Sequence, residues 1–183
     1  MKPNRKMKQI QVVLGLLLIL LLASCGQGTP TRTATASAAA VQGCYLDWAS
    51  RPLSDLSARI QKSFDSSGLK SVTVHAQAYG ENCYDNNTHQ VIAFTSLETD
   101  IRVTAQVKSI RDTDDLGRLL EQILPILEGL PAQSLSAGHL GNIGITYQAG
   151  AASLNLSFTD QDARAARERG LHGAALITAL LKK

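Results

Sequence analysis

DIRVTAQVK, residues 100–108, alternates without a break. Ile101, Val103, Ala105 and Val107 fall on one side; Asp100, Arg102, Thr104, Gln106 and Lys108 fall on the other. A period of two sends successive side chains to opposite faces of a pleated strand, so this stretch predicts a strand with one face in a core and one in water. Its inner face then needs apolar cover from another layer. Upstream, SVTVHAQAYG (71–80) repeats the pattern with Val72, Val74, Ala76 and Ala78. Downstream, GNIGITYQAGAASLNLSF (141–158) reads as a hairpin, with Ile143, Ile145 and Tyr147 leading to a turn around Gly150 and Leu154, Leu156 and Phe158 returning. Between the first two strands, residues 80–98 read as a long polar loop holding a short strand at 91–94.

The cover is legible in three helical stripes. Leu53, Leu56, Ile60 and Phe64 recur at three- and four-residue spacing ahead of Gly68, which can end a helix. Leu116, Leu119, Leu120, Ile123 and Leu127 form a second stripe behind a cap of Asp112 with Asp115; Pro125 is expected to kink or shorten that helix. Thr159 with Asp162 has the spacing of a capping box, and the third helix is expected to continue through Leu176, Ile177, Leu180 and Leu181 to Lys182 and Lys183. The fold class is α+β, two layers with helices packed on one face of a mainly antiparallel four- or five-stranded sheet. A further strand over residues 41–48 would make the first six elements βαββαβ, the ferredoxin-like order.

The first 24 residues are a different kind of sequence. Lys2, Arg5, Lys6 and Lys8 precede an apolar run over residues 12–23, the plan of a secretory signal. That run would reach about 18 Å as a helix, short of the ~30 Å hydrocarbon core of a bilayer. Leu22, Ala23, Ser24 and Cys25 resemble the lipobox of bacterial lipoprotein precursors. The resemblance covers this segment alone. It implies cleavage before Cys25, acylation of Cys25, and anchoring in a cell membrane or outer membrane with the domain facing away from the cytoplasm. Gly26, where an aspartate would mark inner-membrane retention, resembles the exported class where two membranes exist. Read otherwise, as an uncleaved signal anchor or the leader of a soluble secreted chain, the segment still places the domain outside the cytoplasm.

The chain thus divides into a signal peptide at 1–24, a lipid attachment residue and flexible tether at 25–43, and a single extracytoplasmic domain at 44–183. The tether is Gly, Thr, Ser and Ala with almost nothing to bury. Removing the leader also removes four of 18 Lys and Arg, leaving 14 against 15 acids. The high pI is therefore largely a property of the leader, and the mature chain gives no electrostatic reason to expect nucleic acid.

Cys44 and Cys83 remain as an even pair in an oxidising compartment, which reads as a disulfide; two distant cysteines without a histidine cluster make a poor metal site. Each precedes a tyrosine, and Tyr45 and Tyr84 are expected to pack over the bridge.

Catalytic signals are thin. None of the serines between residues 50 and 71 sits in a G-x-S-x-G elbow, and His75, His89, His139 and His172 are scattered. No H-E-x-x-H, P-loop or dinucleotide fingerprint occurs, so no cofactor is expected. Asp112, Asp114 and Asp115 offer oxygens to a hard cation but sit at a helix start, where capping accounts for them. YGENCYDNNTH gathers Glu81, Asn82, Asp85, Asn86, Asn87 and His89 beside the cysteine, a candidate patch offering oxygens to Ca²⁺ or contacts to a protein, peptide or glycan ligand, though Asn and Asp are also ordinary turn formers. Arg164, Arg167 and Arg169 ahead of the apolar C-terminal stretch could serve a membrane interface, but burial of those leucines in the core is the better reading. The leading function is a lipid-anchored binding or envelope accessory protein. A small extracytoplasmic hydrolase and a self-associating structural lipoprotein are the alternatives.

Overall fold

The computed structural model describes residues 43–181. Cys25, the leader and the tether up to residue 42 lie outside the described residues. The described chain runs β1 (Cys44–Pro52), α1 (Ser54–Ser66), β2 (Val72–Asp85), β3 (Val91–Gln106), α2 (Thr113–Glu128), β4 (Leu140–Ala149), β5 (Ala152–Thr159), α3 (Asp160–Glu168) and α4 (Gly173–Leu181). The fold is α+β, and the five strands lie side by side in chain order. β1/β2, β2/β3 and β4/β5 are antiparallel. β3/β4 is parallel, with α2 in the long connection that a parallel pair needs.

The alternation at 100–108 does what its pattern demands. Ile101, Val103 and Ala105 are buried, as are Val72, Val74 and Ala76 on β2, Ile143, Ile145 and Tyr147 on β4, and Leu156 and Phe158 on β5. One continuous cluster joins that face to Leu56, Ile60 and Phe64 of α1, Leu120, Ile123, Leu124 and Leu127 of α2, Ala163 and Ala166 of α3, and Leu176, Ile177 and Leu180 of α4. The apolar C-terminal segment therefore packs in the core through Leu176, Ile177 and Leu180, while Leu181 stays exposed. Tyr147 is wholly buried yet satisfied, its hydroxyl donating to the Leu116 carbonyl at 3.1 Å; burial pushes its pKa well up, so it stays a donor.

Three expectations need correction. The ferredoxin-like order does not form, because β1 and β2 are antiparallel neighbours while a βαβ crossover joins parallel strands. The cause is local. β1 pairs with β2 only from Gln77 onward, and α1 takes over the rest of that edge. Leu53 N–H donates to the Ala76 carbonyl at 2.9 Å, Ser57 Oγ accepts from Ala76 N–H at 2.8 Å, and the Gln61 amide serves both Val74 N–H (3.2 Å) and Val72 C=O (2.9 Å). Strand and helix thus follow one another along the same edge, and the side chains of Ser57 and Gln61 do the work of a missing strand. Replacing both with alanine is expected to cost about 2 kcal/mol, because partly buried backbone groups lose their partners. It should also raise light scattering on concentration, since the edge is laid bare; an unchanged urea midpoint would count against this role.

The second correction is the loop at 80–98, which keeps the strand expected at 91–94 but is otherwise the outer half of a long β2–β3 hairpin closing at residues 86–90. Two bulges leave Leu97 and Ile92 as extra residues on β3. The third is the C-terminal helix, which breaks into α3 and α4. Gly170 adopts φ 71°, and Leu171 N–H returns to the Ala166 carbonyl at 3.2 Å, the left-handed stop that glycine favours. Pro125, by contrast, does not end α2, which continues to Glu128.

Candidate functional site: a stapled aromatic arm

The core cluster stops at the paired positions Ala76 and Ile101. Beyond them, β1, residues 79–85 of β2 and 91–98 of β3 continue as a three-stranded arm that contributes nothing to the cluster. Three strands that bury little beyond Gly80 and Cys83 are poorly stable in water. The arm is held by other means. Cys44 and Cys83 form the expected disulfide, with Cα atoms 5.5 Å apart. Tyr45 stacks on Tyr84 at 5.1 Å, and Trp48 stacks on Tyr79 at 5.3 Å with the rings 2° from parallel. Arg51 lies 4.2 Å over the Phe94 ring and donates to Asn82 Oδ1 at 3.2 Å. Each such aromatic or cation–π contact contributes roughly 0.5–1.5 kcal/mol.

Tyr45 and Tyr84 thus do not pack over the bridge. Each neighbours a cysteine in its strand, and alternation turns it to the opposite face.

The six residues of the sequence-derived patch all lie on this arm, but they do not converge. Glu81 and Asn82 are adjacent and so point to opposite faces; Asn82 donates to the Tyr84 hydroxyl at 3.2 Å. Asp85 organises the turn, accepting from Thr88 N–H (2.7 Å), Asn87 N–H (2.9 Å) and Thr88 Oγ1 (3.1 Å). Asn86 and Asn87 are exposed. His89 sits at φ 54°, its ring edge-on to Tyr45 and Nδ1 3.4 Å from the tyrosine hydroxyl. Asp85 is thus a turn former, and among the described residues no three His, Cys, Asp or Glu side chains gather as a metal site.

Those same hydrogen bonds, from Thr88 N–H first and Asn87 N–H next, hold the Asp85 carboxyl below its ordinary 3.8. A depressed folded pKa stabilises above the unfolded value and is lost as pH falls through the folded one. The Asn87 and Thr88 amide resonances are therefore expected to titrate with a midpoint below 3.8. A midpoint at or above that value would show that the turn is held by something else.

What the polar patch conceals is apolar. Tyr45, Leu46, Trp48, Val91, Ile92 and Leu97 are six of the seven exposed large hydrophobic residues among the described residues, with Leu46 59% and Trp48 58% accessible. Scattered apolar side chains at a surface are ordinary, but their concentration on one projection, with Leu46 and Trp48 on one face and Tyr45 on the other, is not. The signal was present in the chain: five of its eight aromatic residues, Tyr45, Trp48, Tyr79, Tyr84 and Phe94, belong to this arm.

Elsewhere the polar groups have structural duties. Asp112 caps α2 by accepting from Asp115 N–H at 3.0 Å, Asp115 pairs with Arg118, and Asp114 accepts from Ala174 N–H at the start of α4 at 3.0 Å. Thr159 and Asp162 form the capping box of α3. On the open face of the sheet, His75, Arg102, Asn142 and Ser157 line a shallow groove of about 410 Å³. Asp100 Oδ1 accepts from Asn142 N–H at 2.9 Å there. Among the described residues no serine hydroxyl is hydrogen-bonded to a histidine ring.

No known family matches. Comparison with protein-family models, with curated proteins and with solved structures found no similar protein for this chain. Among the described residues no helix is long and apolar enough to cross a membrane. The arm's own chemistry therefore carries the functional reading.

Proposed function

We propose that this chain is a lipid-anchored, extracytoplasmic binding or envelope accessory protein, and that the arm is its working surface, docking a protein. The observation that carries the reading is the concentration of exposed aromatic and aliphatic side chains on a disulfide-stapled projection with no core beneath it. A rigid β platform bearing Trp and Tyr presents large contact area at small entropic cost, the composition found at the centres of protein interfaces. The staple agrees with an oxidising compartment. Acylation of Cys25 rests on the leader sequence and would hold the domain at a membrane without a spanning helix.

Two measurements test the two halves. Intact mass of the protein from its native host should show a chain beginning at an acylated Cys25; an unprocessed leader with a free thiol would remove the anchor. A photo-crosslinking side chain at Trp48 should capture a discrete protein adduct in native envelopes, while the same probe at Thr104 on the polar sheet face should not. Equal capture at both positions would remove the arm from the account.

A further inference from the structure

We infer that the arm's partner is a second copy of this chain, joined by antiparallel pairing of β1 with β1 about a two-fold axis at Ala49. The inference rests on the arm being the working surface and names its occupant. β1 is the outermost strand, and among the described residues no strand pairs its far side. The same side of the sheet is sealed by Ser57 and Gln61 along residues 72–76, and that sealing stops where β1 begins. Strands that stay unpaired are usually short, charged with lysine or interrupted by proline. β1 has nine residues, no lysine, and its proline only at the last position.

Its charges are self-complementary. Asp47 and Arg51 stand two residues either side of Ala49. In a symmetric pairing centred there, Asp47 faces Arg51 of the other copy, twice over, on the same face of the joined sheet. Trp48 then lies opposite Ser50, Leu46 opposite Pro52, and the small Ala49 meets its own copy at the axis. A pairing centred on Asp47 would set two carboxylates against each other, and one centred on Trp48 would leave Asp47 facing alanine. Pairing at Ala49 is the register that brings Asp47 and Arg51 together, and it closes as a dimer without leaving β1 free to add a third copy. A lipid surface fits less well. The arm carries Asp47, Glu81, Asp85 and Glu98 against Arg51, a balance that opposes anionic headgroups.

Facing residues of an antiparallel pair have Cα atoms about 4.5–5.5 Å apart, within reach of a disulfide. The full chain carrying Ala49→Cys, oxidised mildly in native membranes, should give a reducible covalent dimer with a 49–49 bridge and an intact Cys44–Cys83 bond by peptide mapping. Pro52→Cys, six residues out of register with its own copy, should give little. Adding Asp47→Arg to the Ala49→Cys chain should lower the dimer roughly tenfold, and Arg51→Asp added to that should restore it, read in variants whose arm amides keep their hydrogen-exchange protection because Arg51 also lies over Phe94. Equal bridging at 49 and 52, or no restoration by the charge exchange, would overturn the pairing. An adduct between residue 49 and a different protein would overturn the second copy while leaving the arm as the interface. No adduct from 49 together with no capture from Trp48 would overturn both.

Discussion

Gly117→Ala is expected to destabilise the domain by about 3 kcal/mol and lower its Tm by roughly 10 °C, although alanine is the better helix former by about 1 kcal/mol. Gly117 lies in the second turn of α2, and a Cβ there would overlap the backbone of Gly173 at the start of α4. The obstruction is main chain, which has no rotamer to move into. It is also tethered: Gly173 N–H donates to Glu121 Oε1 at 2.7 Å and Ala174 N–H to Asp114 Oδ1 at 3.0 Å, so two carboxylates of α2 cap α4. Separating the helices would therefore weaken those caps and loosen Leu176, Ile177 and Leu180 together. Gly144→Ala is the control. Its added Cβ would approach nothing nearer than about 4.0 Å, and a strand gains from losing glycine. Thermal unfolding of the two variants should shift in opposite directions; a shared small shift would show that α2 and α4 are not in close contact.

Removing the bridge, by Cys83→Ser or by reductant, is expected to have the second large effect, and to have it unevenly. The cysteines are 39 residues apart, for which the chain-entropy relation gives about 4 kcal/mol. That figure is a ceiling on the global loss, because the bridge ties two strands of the arm and the core cluster lies elsewhere. Hydrogen exchange should therefore speed up first in β1 and in residues 79–85 and 91–98, while amides near Val74, Val103 and Ile145 keep most of their protection. Uniform acceleration across arm and core would mean that the two unfold as one unit. Unchanged exchange in the arm would mean that stacking and the ladder suffice without the bridge.

The parts of the fold legible in the sequence are those where one local pattern meets one burial environment. Residues 100–108 alternate because one side faces the helices and the other faces water, and Thr159 and Asp162 announce a helix start because the cap is built from neighbours. Residues 80–98 were legible as strand only at 91–94, for the converse reason. With no large aliphatic buried on either face, alternation carries little polarity, and the turn residues Asp85, Asn86 and Asn87 dominate the composition. Gly80 was a clue of another kind: an added Cβ would overlap the Thr95 carbonyl, so it marks the bulge at which core sheet becomes arm. The ferredoxin-like order failed on a tertiary relation. Nothing in residues 44–66 says that β1 and α1 will share one edge of β2 until Ser57 and Gln61 are seen serving that edge. For the site, the sequence reading named the polar residues of the turn, and the exposed apolar side chains beside them became visible only once the strands were paired.

Oxidative footprinting of Trp48 tests the central claim most directly. The side chain is 58% accessible in the isolated domain, and Leu181, at 46%, lies away from the arm as an internal reference. Hydroxyl radicals applied to native envelopes and to dilute purified full-length protein should modify Leu181 alike in both. Trp48 should be protected several-fold in the envelope, as burial in an interface core requires. Equal modification of Trp48 in the two settings would contradict the assignment of the arm as an occupied interface.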